Sequence, residues 1–133
     1  MILVDTSAWV EFIRGTESSV GRRLQALVAA DQEEIVTTEV VFLELLAGAH
    51  DEARAASLRR MLSHYELIPI EGLSDFESAA AIYRSCRRHG ETIRTRFDCL
   101  IAAVALREDA AVLHHDRDFD AIARHTPLQL AAA

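Results

Sequence analysis

The chain contains no lysine, only two cysteines, two prolines and five glycines in 133 residues, and 6% of its residues are aromatic. All 14 basic residues are arginines and they face 21 acidic residues, for a net charge of −7, which argues against a polycation that coats nucleic acid. The scarcity of cysteine, proline and glycine excludes disulfide-stapled, collagen-like and low-complexity classes. We expect Cys86 and Cys99 to be reduced and buried.

Long apolar runs are also missing. No stretch reaches the roughly 18 apolar residues that a membrane-spanning helix needs. The first residues, Met1 to Val4, lack a basic segment, and Asp5 interrupts the apolar run that a secretory signal would continue. We therefore expect a cytoplasmic protein without membrane attachment, folded as one domain over residues 1–133.

Strand patterns and helix patterns alternate along the chain. Short apolar runs predict strands at 2–5, 34–37, 66–70, 111–114 and near 128–130. Amphipathic helices are predicted between them, with Thr6 or Ser7 capping the first and Ser74 capping the long helix before Gly90. The spacing places Phe76 and Phe97 on buried helix faces. This alternation predicts a three-layer α/β/α domain, with a parallel sheet of about four to five strands wrapped by helices.

Acidic residues lie just beyond the carboxyl ends of the predicted strands, where such folds form their active or binding sites. Asp5 closes the first predicted strand, and Asp116 follows the strand that ends at His114. Asp98 lies in the first turn of its helix, where its carboxylate can point to the same edge. Glu44 interrupts an apolar segment that offers it little solvated surface, and a buried ionised carboxylate is costly without a cation.

Each acid alone has an ordinary structural explanation: Asp5 can cap a helix, and Asp98 can interact with a helix dipole. Together, acids at one sheet edge cannot all stay ionised without a metal that neutralises them; otherwise their pKa values rise and some of them are protonated. Oxygen ligands favour Mg²⁺ or Mn²⁺ over zinc, and the adjacent His114 and His115 point to opposite faces. A two-metal carboxylate centre would suit phosphodiester hydrolysis.

Four segments resemble the ordered motifs of PIN-domain ribonucleases: Val4 to Ser7, Glu44 to Gly48, Phe97 to Ala103 and His115 to Phe119. The spacing of these motifs and the length of the chain are similar to those of the VapC toxins of toxin–antitoxin pairs. The resemblance covers almost the whole chain. The resemblance implies a Mg²⁺-dependent endoribonuclease, with Mn²⁺ as the other possible ion, that inhibits translation and growth. It also implies neutralisation by a VapB-like antitoxin, a homodimer, and a larger hetero-oligomer with the antitoxin.

The resemblance further implies a set of catalytic acids that also bind the metal: Asp5, Glu44, Asp98 and Asp116. Asp118 would be a further metal ligand, and the hydroxyls of Thr6 and Ser7 would support the site. Three acids compete for the last motif, with Asp116 placed first because it is nearest the strand end, Asp118 second, and Asp120 left open.

Arginines lie near the predicted site. Arg94 and Arg96 precede Asp98, and Arg87 and Arg88 end the long helix, so we expect all four to contact RNA or the antitoxin. A solvated helix face is the alternative explanation for Arg87. We expect Arg94→Ala to weaken RNA binding and to leave Mg²⁺ affinity unchanged.

Two other functions remain open at this point. A housekeeping PIN nuclease in RNA processing would have the same acids, although such proteins usually carry extra domains. A non-catalytic acidic-pocket binding module, resembling a response-regulator receiver, would need a lysine that this chain does not have.

Overall fold

Helices and strands alternate through the part of the chain that the computed structural model describes, residues 1–32 and 34–133. Within these residues the order is β1 (Ile2–Val4), α1 (Thr6–Arg14), α2 (Ser19–Ala30), β2 (Ile35–Thr37), α3 (Glu39–Ala47), α4 (Glu52–Ser63), β3 (Glu66–Leu67), α5 (Gly72–Arg88), α6 (Arg96–Arg107), β4 (Ala111–Leu113) and α7 (Arg117–His125). The predicted alternation is confirmed.

The strands form one parallel sheet in the order β3-β2-β1-β4. β3 is shorter than the predicted 66–70, because Pro69 has no N–H to extend the ladder beyond Ile68, whose N–H still donates to the carbonyl of Thr37 at 2.8 Å. The strand predicted near 128–130 is reduced to one parallel bridge between Val112 and Leu130. The predicted fold class, a parallel sheet wrapped by helices, is confirmed.

The strand order creates a switch point beside β1. The chain runs outward from β1 to β2 and β3, then crosses back to place β4 on the other side of β1. Crossovers therefore leave in opposite directions at the carboxyl ends of β1 and β4, which opens a crevice there. Asp5 and Asp116 follow these two strands, so both acids lie at this crevice.

The two helix starts compare differently with the prediction. Asp5, one of the possible caps beside Thr6 and Ser7, is the N-cap of α1, and its carboxylate accepts a hydrogen bond from the Ser7 N–H. The long helix α5 begins at Gly72 instead of being capped by Ser74, whose hydroxyl donates to the carbonyl of Glu71. A carboxylate competes well with a hydroxyl as a capping acceptor, so spacing alone does not fix which residue caps.

The prediction that Phe76 and Phe97 are buried is wrong. They are 54% and 43% exposed, because α5 and α6 pack through smaller and aliphatic residues such as Ala79 and Leu100. Cys86 and Cys99 are free and buried, as predicted. In the described part of the chain, no helix is both long and apolar enough to cross a bilayer.

Arg107, at the end of α6, ties this helix to the start of α5. Its guanidinium donates two hydrogen bonds to the carboxylate of Asp75, at 3.2 and 3.0 Å, and one to the carbonyl of Pro69. Asp75 is only 3% exposed. Burial opposes ionisation of Asp75, but the bonds and charge of Arg107, together with a bond from the Glu71 N–H, outweigh it and hold the pKa of this carboxyl below its usual range.

We expect Arg107→Ala to lower the free energy of unfolding by about 3 kcal/mol, because it leaves the Asp75 carboxylate buried without its cation. Chemical denaturation at pH 7 measures this effect. Arg59→Ala, at an exposed position of α4, is the matched control and should change stability by less than about 0.5 kcal/mol. Equal effects of the two substitutions would contradict the role of Arg107 as the cation that stabilises the buried Asp75 carboxylate.

Candidate active site

Four carboxylates from separate parts of the chain meet at the crevice between β1 and β4. Two follow strands, Asp5 as the N-cap of α1 and Asp116 as the N-cap of α7. Asp98 projects from the first turn of α6, and Glu44 comes from α3. Each is close enough to perturb the ionisation of others in the group. We call Asp5, Glu44, Asp98 and Asp116 the acidic pocket.

Hydroxyl groups hold two of these carboxylates in place. The Ser7 hydroxyl donates to Asp5 Oδ2 at 2.6 Å and accepts a hydrogen bond from the N–H of His115 at 2.8 Å. The Thr6 hydroxyl donates to Glu44 Oε1 at 2.7 Å. Ser7 therefore connects the end of β1 to the loop after β4, and Thr6 connects α1 to α3.

Ionisation of three carboxyl groups in the acidic pocket, those of Asp5, Glu44 and Asp98, is suppressed. Burial, reinforced by the charges of Asp5 and Asp116, raises the pKa of Asp98 to about 9. Burial also raises the pKa of Asp5, although two hydrogen bonds from Ser7 oppose it, and it raises the pKa of Glu44. The protein therefore concentrates carboxyl groups that repel one another when no cation is present.

Two oxygens of the acidic pocket have no hydrogen-bond donor among the described residues. These atoms, Asp5 Oδ1 and Asp98 Oδ2, are both fully buried. Buried polar atoms normally find a partner, and an unpartnered one is destabilising. Two anionic oxygens on neighbouring elements suit a hard divalent cation, so the residues present fit Mg²⁺ or Mn²⁺.

The three acids that compete for the last motif have different surroundings. Asp116 belongs to the acidic pocket. Burial opposes its ionisation, but bonds from the Asp118 N–H and from the protonated Asp98 carboxyl, together with the charge of Arg94, hold its pKa below the usual range. Asp118 is 6% exposed and its Oδ2 accepts two hydrogen bonds from Arg94. The Asp120 side chain is 52% exposed, lies 3.6 Å from His114 Nε2, and has no hydrogen bond to Arg94 or Asp116 in the described structure.

The family model of the PIN domain matches residues 2–125. The chain is 43% identical over 132 residues to Ribonuclease VapC11 of Mycobacterium tuberculosis and to VapC ribonuclease Mb1587 of Mycobacterium bovis, covering 99% of this chain and 98% of each relative. It belongs to the VapC ribonucleases of the PIN domain family. The family resemblance inferred from the sequence is confirmed.

A solved structure agrees with this PIN domain in fold. VapBC2 from Rickettsia felis, bound to a DNA fragment, superposes with a TM-score of 0.75 at 24% identity and covers 98% of both chains. At this identity the agreement concerns the fold alone. It shows that this chain shares the overall fold of that VapBC2 chain.

Arg94 contacts carboxylates in this PIN domain. Its Nη2 donates to Asp116 Oδ1 at 2.6 Å, and its backbone N–H and Nε both donate to Asp118 Oδ2 at 3.0 Å. The expectation that Arg94→Ala leaves Mg²⁺ affinity unchanged is therefore revised, since the substitution would remove a cation from the ligand set. The sequence carried no signal for this pairing, because the residues lie 22 and 24 positions apart.

The other predicted contact arginines lie away from the acidic pocket or at its border. Arg96 lies over the ring of Tyr83 at 4.8 Å, and Arg87 approaches the same ring at 5.6 Å. Both line a groove of about 430 Å³ between α5 and α6, where Phe97 is exposed. Arg88 is exposed at the end of α5. Their contact with RNA or antitoxin stays a prediction.

Three basic residues that the sequence analysis did not single out lie on the Glu44 side. Arg14, His50 and Arg54 line a groove of about 330 Å³ together with Thr6 and Glu44. They come from the end of α1, the loop after α3 and the start of α4. Their positions in the sequence are unremarkable, and only the packing of three elements brings them beside the acidic pocket.

Proposed function

We propose that the protein is a Mg²⁺- or Mn²⁺-dependent endoribonuclease that hydrolyses RNA phosphodiester bonds, acts as the toxin of a type II toxin–antitoxin pair, and inhibits translation and growth. One observation carries the metal dependence: the acidic pocket leaves Asp5 Oδ1 and Asp98 Oδ2 buried without donors in the described structure. The names of the relatives, both VapC ribonucleases matched along nearly their whole length, support RNA as the substrate. That coverage also favours the toxin over a housekeeping nuclease with additional domains.

The proposed metal ligands are the acids of the acidic pocket, with Asp116 rather than Asp120 as the acid of the last motif. A bound divalent ion would polarise a phosphoryl oxygen and activate water for attack. The residues of this chain orient that ligand set. Ser7 holds Asp5 through its hydroxyl and N–H, and Thr6 holds Glu44 through its hydroxyl.

The proposed partners follow from similar proteins of known structure. VapBC from Salmonella typhimurium and FitAB bound to a DNA fragment are complexes whose toxin chains share this fold, with TM-scores of 0.78 and 0.72. We propose that a VapB-like antitoxin neutralises this protein in the cytoplasm. We also propose that the toxin is a homodimer that forms a larger hetero-oligomer with the antitoxin.

Asp116→Asn should reduce RNA cleavage in Mg²⁺ by roughly 100-fold, because it removes one anionic ligand of the proposed metal. Asp120→Asn is the matched control in the same helix, and it should cleave like the unmodified protein because Asp120 faces His114 and solvent. Cleavage of an RNA pool, with and without EDTA, measures both. Cleavage that persists in EDTA would contradict metal dependence. Loss of activity in Asp120→Asn alone would show that Asp120, and not Asp116, is the acid of the last motif.

The toxin assignment is tested in cells with the same pair of variants. Expression of the unmodified protein or Asp120→Asn should stop growth, and Asp116→Asn should not. Co-expression of the cognate antitoxin should restore growth. Growth arrest by Asp116→Asn would show that toxicity does not depend on cleavage at this site.

A further inference from the structure

Arg94 places its positive charge against two neighbouring carboxylates, those of Asp116 and Asp118. Its guanidinium bonds Asp116 through Nη2 and Asp118 through Nε, and its backbone N–H adds a second bond to Asp118 Oδ2. The side chains of Asp116 and Asp118 are 21% and 9% exposed, so the carboxylate ends of these bonds are mostly buried, while the Arg94 side chain is 57% exposed. An ion that bound Asp118 Oδ2 would have to displace two N–H donors.

Two other oxygens of the acidic pocket have no such donors. Asp5 Oδ1 and Asp98 Oδ2 are buried and accept no hydrogen bond from any described residue. A cation can bind there without displacing a donor. Carboxylate oxygens of Asp98, Asp116 and Asp118 lie within 4.8 Å of one another, so Asp98 lies next to the two carboxylates that Arg94 binds.

The unpartnered oxygens of Asp5 and Asp98 and the guanidinium of Arg94 together match the charge pattern of a centre with two cations. In two-metal hydrolases the ions lie about 3.5–4 Å apart and share carboxylate ligands. In this chain one of the two positions already holds a guanidinium. Arginine suits that position because it stays charged at all working pH values and binds two carboxylates in a fixed fork.

Arg94 is also reachable by substrate. Its side chain is 57% exposed. It lines an open depression of about 650 Å³ together with Ser7, His115 and Arg117. A phosphate that approached the acidic pocket through this depression would meet the guanidinium, which retains N–H donors beyond those given to Asp116 and Asp118.

We propose that Arg94 takes the place of a second metal ion: the protein binds one divalent ion, on the Asp5 and Asp98 side, and the Arg94 guanidinium supplies the second positive charge beside the scissile phosphate. This inference rests on the proposed metal-dependent function. It differs from the two-metal centre that the sequence analysis considered. It also assigns Asp118 to holding Arg94 in place rather than to binding metal.

Calorimetric titration of the metal-free, full-length protein with MnCl₂ tests the proposal without any measurement of cleavage. We expect one Mn²⁺ per chain for the unmodified protein and two for Arg94→Ala, whose Asp116 and Asp118 oxygens become free. Arg94→Lys keeps a positive charge and should still bind one ion. Arg96→Ala, from the same segment but without carboxylate contacts in the described structure, should also bind one.

The outcomes separate this inference from the proposed function. No Mn²⁺ binding by the unmodified protein would overturn the metal-dependent function and the inference together. Two ions on the unmodified protein, or one ion of unchanged affinity on folded Arg94→Ala, would overturn the inference alone. Should Arg94→Ala fail to fold, the counts for the unmodified protein and Arg94→Lys still decide, because two ions on either would contradict the proposal.

Discussion

Asp98→Asn should abolish metal-dependent RNA cleavage and at the same time make the metal-free protein more stable. Asp98 is 3% exposed, and burial together with the charges of Asp5 and Asp116 raises its pKa to about 9. Asparagine keeps the size of the side chain but removes the carboxyl group that resists ionisation. A shift of one pKa unit corresponds to about 1.4 kcal/mol, so we expect a gain of at least about 2 kcal/mol at pH 8. Chemical denaturation in EDTA measures this gain, and an RNA cleavage assay in Mg²⁺ should show a loss of about 100-fold or more.

Asp75→Asn is the matched control for this substitution. Asp75 is buried to the same extent, but it is paired with Arg107 and its pKa lies below the usual range. The same chemical change should therefore destabilise the protein, because it weakens an ion pair instead of relieving repulsion. A loss of stability in Asp98→Asn as well would mean that Asp98 acts as a structural cap of α6.

The stability of the metal-free protein should fall as the pH rises from about 5 to 9. Asp98 has an ordinary pKa of 3.8 when unfolded and about 9 when folded, so the unfolded chain releases its proton first. The stabilisation from the protonated form is complete below pH 4 and is lost as the pH approaches 9. Burial raises the pKa values of Asp5 and Glu44 in the same direction. Each such carboxyl contributes a slope of up to about 1.4 kcal/mol per pH unit.

Divalent ions should remove most of this slope, because they bind the ionised carboxylates and stabilise the folded state by mass action. Denaturation midpoints at pH 5, 7 and 9, in EDTA and in Mg²⁺, measure both effects. Asp98→Asn should show a flatter dependence in EDTA and a smaller response to Mg²⁺. Higher stability at pH 9 than at pH 5 in EDTA would contradict the raised pKa values. The lowered pKa of Asp75 does not obscure the comparison, since its contribution changes only below pH 5.

Much of the fold could be predicted from local patterns. Apolar runs marked the strands, and three- and four-residue spacing marked the helices, because burial on a sheet or a helix face imposes these periods. The strand predicted at 34–37 agrees with β2, Ile35–Thr37, to within one residue. Burial was harder to predict for residues near the surfaces through which helices pack. Phe76 and Phe97 follow the helical period but are exposed, because α5 and α6 approach each other through Ala79 and Leu100.

The candidate site was predictable in part. Acids placed directly after predicted strands were expected at one edge of a parallel sheet, and Asp5 and Asp116 lie there. Their chemical roles stay predictions. Arg94 was expected to contact RNA or antitoxin, yet its partners in the structure are Asp116 and Asp118. A helical or strand period carries no information about which loops meet, so this pairing could not be inferred from it.

The sequence by itself determined the class of fold and the chemical character of the site: no lysine, no disulfide framework, alternating strands and helices, and acids where strands end. The tertiary structure alone decided that β1 lies beside β4. It also decided that Ser7 joins His115 across 108 positions and that Arg94 neutralises Asp116 and Asp118. The physical reason is the distance along the chain over which each kind of interaction acts. Periodicity records how each segment is buried, whereas strand order and ion pairing depend on contacts between distant segments, which form only when the whole core packs.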